Sequence, residues 1–329
     1  MRNLGNTGIK VNEVGLGGIP IQRVTKEDVR KILEAMLQGG MNFIDTARGY
    51  TNSEELLGYG LQNNRDKFVV ATKSMSRTYE GMAEDVEISL KNLQTQYIDL
   101  YQIHNAQLSD NIDGAIKALK EEQNRGRVKH IGITTHSIDV LKREIELNRF
   151  ETIQFPYNIV ETQAESLFKE AAEKGIGIIV MKPLAGGAIE DAKLAIKYIL
   201  NNNNISVVIP GMESVSQVLE NSRVVAGEFD FDENNKIKMI RKQLNNDFCR
   251  RCGYCQPCPK GINIPLMFLC EGYYLRYGLK EWAKSRYKSM KVLPSSCVKC
   301  GMCESRCPYN IKIRERIESI VKLMEGNNE

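Results

Sequence analysis

Three features are absent from this sequence of 329 residues, and each absence excludes a class of protein. No run approaches the roughly 18 uninterrupted apolar residues that a membrane-spanning helix needs. The first residues, Met1 to Gly5, contain no apolar core of the kind that a secretory signal carries. Gly15 to Pro20, after the first predicted strand, does not supply the Gly-x-Gly-x-x-Gly motif of a doubly wound dinucleotide-binding sheet. We therefore expect a cytoplasmic protein that has no membrane partner.

Cysteine is concentrated in the last quarter of the chain, where eight of the nine cysteines form two runs. The runs are Cys249-x2-Cys252-x2-Cys255-x2-Cys258-Pro259 and Cys297-x2-Cys300-x2-Cys303-x3-Cys307-Pro308. Three thiolates at every third position can wrap one iron-sulfur cube, which a remote Cys-Pro thiolate completes. Disulfides would need an oxidising compartment, and zinc knuckles use two thiolates each rather than three. The spacing predicts [4Fe-4S] clusters, which carry single electrons.

In two-cluster ferredoxins the fourth cysteine of each run ligates the other cluster. We therefore assign Cys249, Cys252, Cys255 and Cys307 to one cluster, and Cys297, Cys300, Cys303 and Cys258 to the second. The first run has two residues rather than three before its Cys-Pro, so a single cluster on the second run is the alternative. Cys270 lies outside both runs, and we interpret it as a buried apolar side chain.

The segment between the runs, residues 259–296, is rich in helix formers and predicts a helical spacer. With the cysteines, it resembles the α-helical dicluster ferredoxin modules of other oxidoreductases over residues 247–316. Residues 247–329 carry 15 Lys and Arg against 8 Asp and Glu. The basic side chains include Arg276, Lys280, Lys284, Arg286, Lys288 and Lys291. They form either a solvated helix face or a docking patch for an acidic carrier such as a ferredoxin or flavodoxin, and no nucleic-acid motif accompanies them.

Upstream of the cysteines, eight β-rich runs alternate with amphipathic helical patterns. The runs are Val11 to Gly17, Asn42 to Thr46, Phe68 to Thr72, Ile98 to Ile103, His130 to Ile133, Thr152 to Phe155, Ile176 to Met181 and Ser206 to Ile209. This alternation predicts a parallel sheet, and the length suits a closed barrel. We expect a (β/α)8 TIM barrel over residues 1–230, a linking helix over 231–246, and a mainly α-helical, ferredoxin-like iron-sulfur domain over 247–329.

The chemistry of a (β/α)8 barrel lies at the carboxyl ends of its strands. Four ionisable side chains follow three neighbouring predicted strands: Asp45, Tyr50, Lys73 and His104. Taken singly, each could be a rim, cap or core residue. Together they predict a catalytic group at the barrel mouth.

These residues lie in motifs that resemble the aldo/keto reductase family. The motifs include Leu4-Gly5-Asn6-Thr7-Gly8, Asp45-Thr46-Ala47-Arg48-Gly49-Tyr50, Ala71-Thr72-Lys73, Gln102-Ile103-His104, Gly132-Ile133-Thr134-Thr135-His136, Lys182-Pro183-Leu184 and Ile209-Pro210-Gly211. The resemblance covers residues 2 to about 226, and the cysteines make the chain similar to a ferredoxin-fused branch of the family. It implies interconversion of a carbonyl and an alcohol with hydride from a nicotinamide cofactor.

The resemblance also implies a role for each of the four side chains. Tyr50 would be the general acid. A free phenol has a pKa of about 10, so a nearby Lys73 ammonium would assist proton donation at neutral pH. Asp45 would fix Lys73 by a salt bridge, and His104 would hydrogen-bond the substrate oxygen.

A cofactor site is implied in the same way. Its residues are Gly17, Asp45, Thr134, Thr135, Gln154, Leu184, Gly186, Glu220 and Asn221. Family members that prefer NADP place a Lys and an Arg where this chain has Gly211 and Gln217. NADP and NAD therefore both stay open.

Hydride transfer moves two electrons, whereas a [4Fe-4S] cluster moves one. A flavin in the barrel mouth would divide the pair, although the sequence shows no flavin motif. The leading hypothesis is an oxidoreductase of the aldo/keto reductase type whose clusters are linked to an external electron carrier. The alternatives are an ordinary NAD(P)H-dependent carbonyl reductase with structural or redox-sensing clusters, and a non-enzymatic electron-transfer or regulatory protein that binds nucleotide.

Overall fold

The computed structural model describes residues 1–326, which divide into two compact units. The first unit comprises Met1–Pro183 and Asp191–Glu228, and the second comprises Leu184–Glu190 and the chain from Phe229 onward. The predicted iron-sulfur domain, 247–329, ends with residues 327–329, which lie outside the described residues. None of the described helices combines the length and the apolar character that crossing a bilayer requires.

The first unit is a closed barrel of eight parallel strands, as predicted. The strands are β3 (Leu16–Gly17), β4 (Phe43–Asp45), β5 (Val69–Ser74), β6 (Ile98–Ile103), β7 (Val128–Thr134), β8 (Thr152–Pro156), β9 (Gly177–Met181) and β10 (Val207–Val208). They pair in sequence order. Parallel bridges from Val14 to Val208 and from Gly17 to Gly211 join the first strand to the last and close the barrel.

Helices follow the strands and cover the outside of the barrel. They are α1 (Lys26–Gln38), α2 (Ser53–Leu61), α3 (Tyr79–Asn92), α4 (Asp113–Asn124), α5 (Ile138–Leu147), α6 (Glu165–Glu173), α7 (Ala192–Leu200) and α8 (Val215–Asn221). The start of α1 shows why they form where they do, because Thr25 and Asp28 build a capping box. Val29, Ile32 and Met36 then recur at helical spacing and are buried against the sheet.

The first predicted strand, residues 11–17, is in fact two elements. Val11 belongs to a hairpin of β1 (Arg2–Asn3) and β2 (Lys10–Val11). Asn12 Oδ1 accepts a hydrogen bond from the Val14 N–H at 3.0 Å, and this turn interrupts the strand. In the barrel, the strand itself is therefore only Leu16–Gly17, and Val14 adds an isolated bridge to Val208.

The second unit is helical, as predicted. Its helices are α9 (Phe231–Leu244), α10 (Ile264–Leu275), α11 (Lys280–Lys288), α12 (Met302–Ser305) and α13 (Ile313–Glu325). Helices α10 and α11 form the predicted spacer between the cysteine runs. The core of the unit includes Met267, Tyr287 and Ile320, and Cys270 is fully buried within it.

Candidate active site and cysteine cavities

Asp45 ends β4 and Lys73 is the penultimate residue of β5, and the two side chains form a buried ion pair. Lys73 Nζ donates to Asp45 Oδ2 at 2.5 Å and to the Thr46 carbonyl at 2.8 Å. Neither member of the pair is more than 2% exposed. Burial lowers the pKa of Lys73, and the carboxylate of Asp45 opposes that shift. The lysine is thus held in place by acceptors and kept from water.

Tyr50 lies in the loop between β4 and α2, and its ring contacts two of the other predicted residues. Lys73 Nζ is 5.2 Å from the centroid of the Tyr50 ring. The rings of Tyr50 and His104 meet edge to face, with centroids 6.0 Å apart. His104 directly follows β6. The structure therefore brings Asp45, Tyr50, Lys73 and His104 together at the carboxyl ends of three adjacent strands.

A buried glutamate that sequence reasoning missed anchors the Tyr50 loop. Glu54, at the start of α2, is 2% exposed. Its Oε1 accepts hydrogen bonds from Thr72 and Ser89 at 2.7 and 2.8 Å, and its Oε2 accepts one from Arg48 Nη1 at 3.0 Å. The Arg48 N–H donates to the Lys73 carbonyl at 3.0 Å. Arg48 lies in the motif that contains Asp45 and Tyr50, but the sequence gave no sign that it would pair with Glu54.

The predicted cofactor residues Thr134 and Thr135 hold the loop that follows β6. Thr134 Oγ1 accepts a hydrogen bond from the Asn105 N–H at 2.7 Å, and Thr135 Oγ1 donates to the Ala106 carbonyl at 2.8 Å. His136 Nδ1 lies 3.1 Å from Asn105 Oδ1. The two hydroxyl groups therefore position the backbone just after His104.

Gln154, on β8, offers a buried acceptor that suits a ligand. Its side chain is almost fully buried, and Nε2 donates to Asp45 Oδ2 at 3.3 Å. Its Oε1 has no hydrogen-bond partner among the described residues. A buried oxygen of this kind carries a desolvation cost that an incoming N–H would relieve. The carboxamide of a nicotinamide brings such a group, so Gln154 fits the cofactor that the sequence predicts.

The remaining predicted cofactor residues are divided between the two units. Gly17 ends β3, and Glu220 and Asn221 end α8. A Cβ atom at Gly17 would stand 2.7 Å from the Ile209 carbonyl oxygen, so the backbone approach there requires glycine. Leu184 and Gly186 belong to segment Leu184–Glu190 of the second unit.

The eight cysteines of the two runs line two cavities in the second unit. Cys249, Cys252, Cys255 and Cys307 line the first cavity. Cys258, Cys297, Cys300 and Cys303 line the second cavity. Each cavity thus receives three thiols from one run and a fourth from the other.

The two runs repeat one backbone conformation. Arg251 and Lys299, two residues after the first cysteine of each run, have φ angles of 55° and 56°. Gly253 and Gly301, two residues further on, have φ angles of 85° and 78°. The Lys299 N–H donates to Cys297 Sγ at 3.4 Å, and the backbone of Arg251 bonds Cys249 in the same way. Three residues separate Cys303 from Cys307, where the first run has two between Cys255 and Cys258. The short helix α12 begins this longer segment.

The repeat continues beyond each Cys-Pro pair. Both segments read Cys-Pro-x-Gly/Asn-Ile-x-Ile, and the last isoleucine of each is the first residue of a long helix. Gly261 and Asn310 occupy the same position, with φ angles of 79° and 51°. A repeated sequence therefore builds two equivalent half-sites, a relation that the cysteine spacing only partly indicated.

The thiols fit a cube better than a single ion. Within residues 1–326, no three His, Cys, Asp or Glu side chains lie close enough to share one metal ion. A tetrahedral zinc ion would draw its thiolates to about 2.3 Å from one atom. A [4Fe-4S] cube instead takes each thiolate on a different iron, which suits thiols that stand around a cavity.

The barrel, its buried polar site and the two cysteine cavities define an oxidoreductase with an appended iron-sulfur unit. The sequence model of the aldo/keto reductase family matches residues 13–194, and that of the 4Fe-4S dicluster domain matches residues 248–312. The chain therefore belongs to the aldo/keto reductase family and carries a 4Fe-4S dicluster domain.

Similar proteins match the barrel region over most of their own length. An uncharacterized oxidoreductase of Bacillus subtilis (strain 168), YqkF, is 30% identical over 207 residues, which is 59% of this chain and 67% of the relative. L-galactose dehydrogenase of Arabidopsis thaliana is 29% identical over 279 residues, which is 68% of this chain and 88% of the relative. The solved structure of aldo-keto reductase AKR11C1 from Bacillus halodurans, in its holo form, is 26% identical with a TM-score of 0.65, and the match covers 73% of this chain and 95% of that one.

Proposed function

We propose that this protein interconverts a small-molecule carbonyl and its alcohol in the cytoplasm, and that two [4Fe-4S] clusters link the reaction to an external one-electron carrier. The observation that carries the proposal is the packing of the Tyr50 ring beside both Lys73 and His104. Membership of a carbonyl-reducing family supports it, as does similarity to a relative named as a dehydrogenase of L-galactose. Cluster ligands must be reduced thiols, and the cytoplasm keeps thiols reduced, so the two cysteine runs favour this compartment.

Each side chain has a distinct task in this proposal. Tyr50 donates a proton to the substrate oxygen during reduction and accepts it back during oxidation. Lys73, held by Asp45, places positive charge beside the phenol, and His104 orients the oxygen. When bound, NADPH or NADH supplies the hydride, and a flavin is the alternative that would divide an electron pair for the clusters.

We further propose the cluster ligands that the cavities bring together. Cys249, Cys252, Cys255 and Cys307 would hold one cluster, and Cys297, Cys300, Cys303 and Cys258 would hold the other. The equivalent backbone of the two runs supports two clusters rather than one.

Tyr50→Phe tests the proposed reaction. Because it removes only the proton donor, kcat for carbonyl reduction should fall by about 10²–10⁴. Tyr59→Phe, on the outer helix α2, is the matched control and should keep full activity. Anaerobically purified protein is assayed with a carbonyl panel, once with NAD(P)H and once with a reduced viologen as donor.

The pattern of losses separates the alternatives. Loss of both activities in Tyr50→Phe supports the proposal. If viologen never drives carbonyl reduction in the unaltered protein, and Tyr50→Phe loses the nicotinamide-driven activity, the protein is an ordinary reductase with structural or sensing clusters. Activity that does not depend on Tyr50 contradicts the proposed reaction.

A further inference from the structure

The two cysteine cavities differ in their exposure. Cys300, in the second cavity, is exposed, whereas the other seven cysteines of the runs are buried or partly buried. Its neighbours Val298 and Met302 are 57% and 40% exposed. An electron can therefore reach the second cavity from solvent across an exposed thiol and a small apolar surface.

The first cavity lies toward a different part of the second unit. Arg251 lines this cavity and is close enough to Arg276 for their charges to interact. Arg276 Nε in turn donates to the Gly186 carbonyl at 2.8 Å. Gly186 belongs to segment Leu184–Glu190. Only two residues, Lys182 and Pro183, separate this segment from the end of β9 in the sequence. Within the second unit, the first cavity is thus the one connected, through Arg251 and Arg276, to the segment that contains the predicted cofactor residues Leu184 and Gly186.

The two cavities are also direct neighbours. Ile264, the first residue of α10, lines both of them. Cys255 of the first cavity is close enough to Cys303 of the second for the two thiolates to repel each other. An electron can therefore pass between the cavities inside the second unit.

Five lysines of the second unit lie on helix α11, just after it, or at the rim of the second cavity. We define the basic face as Lys260, Lys280, Lys284, Lys288 and Lys291. Three of them recur every fourth residue and so share one side of α11, where like charges repel. Among the described residues, none of the five has a carboxylate partner. Lys280 and Lys284 lie 5.6 and 5.9 Å from the centroid of the Tyr274 ring, which brings no negative charge. Like charges that lack a carboxylate partner on one side of a helix favour an acidic partner.

Two contacts place one end of the basic face, Lys260 and Lys291, beside the second cavity. Lys260 lines that cavity. Lys291 precedes Val292, whose Cγ2 lies 3.5 Å from the position of a Cβ on Gly261, the residue after Lys260. The sequence also suggested Arg276 and Arg286 for this face. Arg276 donates to the Gly186 carbonyl. Arg286 is two residues from both Lys284 and Lys288, so it lies off the side of α11 that they share.

We propose that electrons enter and leave this protein at the second cavity, and that the basic face docks a small acidic protein that carries one electron. In each encounter the reduced carrier loses one electron and the second unit gains it, without proton transfer. The inference rests on the proposed function, because it requires clusters in both cavities. Opposite charge would raise the association rate and make it sensitive to salt.

The test uses the anaerobic, cluster-loaded full chain and a reduced acidic flavodoxin, whose flavin absorbance reports the loss of each electron. Lys284→Glu with Lys288→Glu should lower the second-order rate at least about tenfold and weaken its salt dependence. The matched control is Lys238→Glu with Lys242→Glu, which has the same spacing and charge change on α9, and it should react like the unaltered protein. A reduced viologen, which needs no docking surface, should reduce all three proteins at rates that agree within about twofold.

A second pair of variants identifies the cavity. Val298→Glu beside Cys300 and Tyr254→Glu beside Cys255 introduce the same charge at similarly exposed positions, 57% and 53%. The proposal predicts that only Val298→Glu slows the flavodoxin reaction. Equal slowing by both, or slowing by Tyr254→Glu alone, would overturn the assignment of the second cavity.

Two further results would overturn the docking surface. One is an equal effect of the α11 and α9 substitutions, and the other is a protein that viologen reduces but flavodoxin does not. Neither measurement needs a carbonyl substrate, so both rates report on the second unit and not on the reaction in the barrel. Failure of the barrel chemistry can therefore be told apart from failure of the docking surface.

Discussion

At the scale of single residues, the site depends on the charged form of Lys73, a buried lysine whose environment disfavours charge. Burial lowers the pKa of Lys73, the positive charge of Lys182 lowers it further, and the ion pair with Asp45 opposes both effects. The proposed role of Lys73 requires its ammonium form, because only that form stabilises the developing phenolate of Tyr50. Asp45 therefore sets the pH range over which Lys73 keeps the ammonium form that its proposed role requires.

Asp45→Asn tests this dependence. Removing the carboxylate removes the main influence that raises the Lys73 pKa, so the ammonium is lost at a lower pH. The alkaline limit of kcat/KM for carbonyl reduction should move toward neutrality by about one pH unit or more. Asp66→Asn on the protein surface is the control, and it should keep the original profile. An alkaline limit that stays in place in Asp45→Asn would show that Lys73 does not govern it.

Asp45, Lys73 and His104 share one property, which is a position at or just after the end of a predicted strand. Barrel geometry turns that position into proximity, so Asp45, Lys73 and His104 could be predicted together. Arg48 and Glu54 could not, because a charged residue in a loop or on a helix is usually solvated. Only the fold shows that α2 buries the Glu54 side chain, where Arg48 of the Tyr50 loop contacts it.

At the scale of elements, Glu54 joins four parts of the barrel wall. From α2 it accepts hydrogen bonds from Thr72 of β5, Ser89 of α3 and Arg48 of the Tyr50 loop. Arg48 also lies 3.5 Å from Asp85 of α3. The loop that carries Tyr50 is thus fixed to the strand that carries Lys73.

Arg48→Met tests the contribution of this network to stability. The substitution leaves Glu54 buried without its cationic partner, which should lower the free energy of unfolding by about 2 kcal/mol or more. The control is Arg30→Met, which removes an exposed pair with Glu27 at 4.0 Å and should cost less than about 1 kcal/mol. Urea denaturation measures both values. Equal, small losses in the two variants would mean that the network does not stabilise the loop.

The bounds of helices and strands could also be predicted from the sequence only in part. Helix α1 could be placed from the sequence, because Thr25 and Asp28 form a capping box at its start. The first strand was predicted too long, because the Asn12 side chain builds a turn that the apolar pattern does not reveal. Side-chain to backbone hydrogen bonds decide such breaks, and they depend on geometry that the sequence does not contain.

At the scale of the whole molecule, the chain combines an aldo/keto reductase barrel with a 4Fe-4S dicluster domain. The barrel could be predicted from the alternation of strands and helices, and the cysteine sets from their spacing. The grouping of Leu184–Glu190 with the second unit could not, because it depends on long-range contacts such as that between Arg276 and Gly186. The repeat of Cys-Pro-x-Gly/Asn-Ile-x-Ile was visible in the sequence but acquires meaning only as two equivalent half-sites.

Paired cysteine substitutions test the crossed ligand sets. Because Cys252 and Cys307 line the same cavity, Cys252→Ser with Cys307→Ser should remove about four irons, no more than either change alone. Cys252 and Cys258 line different cavities, so changing both should remove about eight. Cys270→Ser, outside both cavities, should keep the full iron and sulfide content. The opposite pattern in the two double variants would show that each run serves its own cluster.

The most direct test of the central claim is reduction of the clusters by the alcohol substrate itself. Alcohols are screened against anaerobic, cluster-loaded protein with its cofactor bound, and the visible absorbance of the clusters is followed in a stopped-flow instrument. We predict that an active alcohol bleaches the absorbance and that Tyr50→Phe slows the bleaching by about 10²-fold or more, while Tyr59→Phe does not. Bleaching that is equally fast in Tyr50→Phe, or clusters that stay oxidised while the alcohol is consumed, would contradict the coupling of the barrel to the iron-sulfur unit.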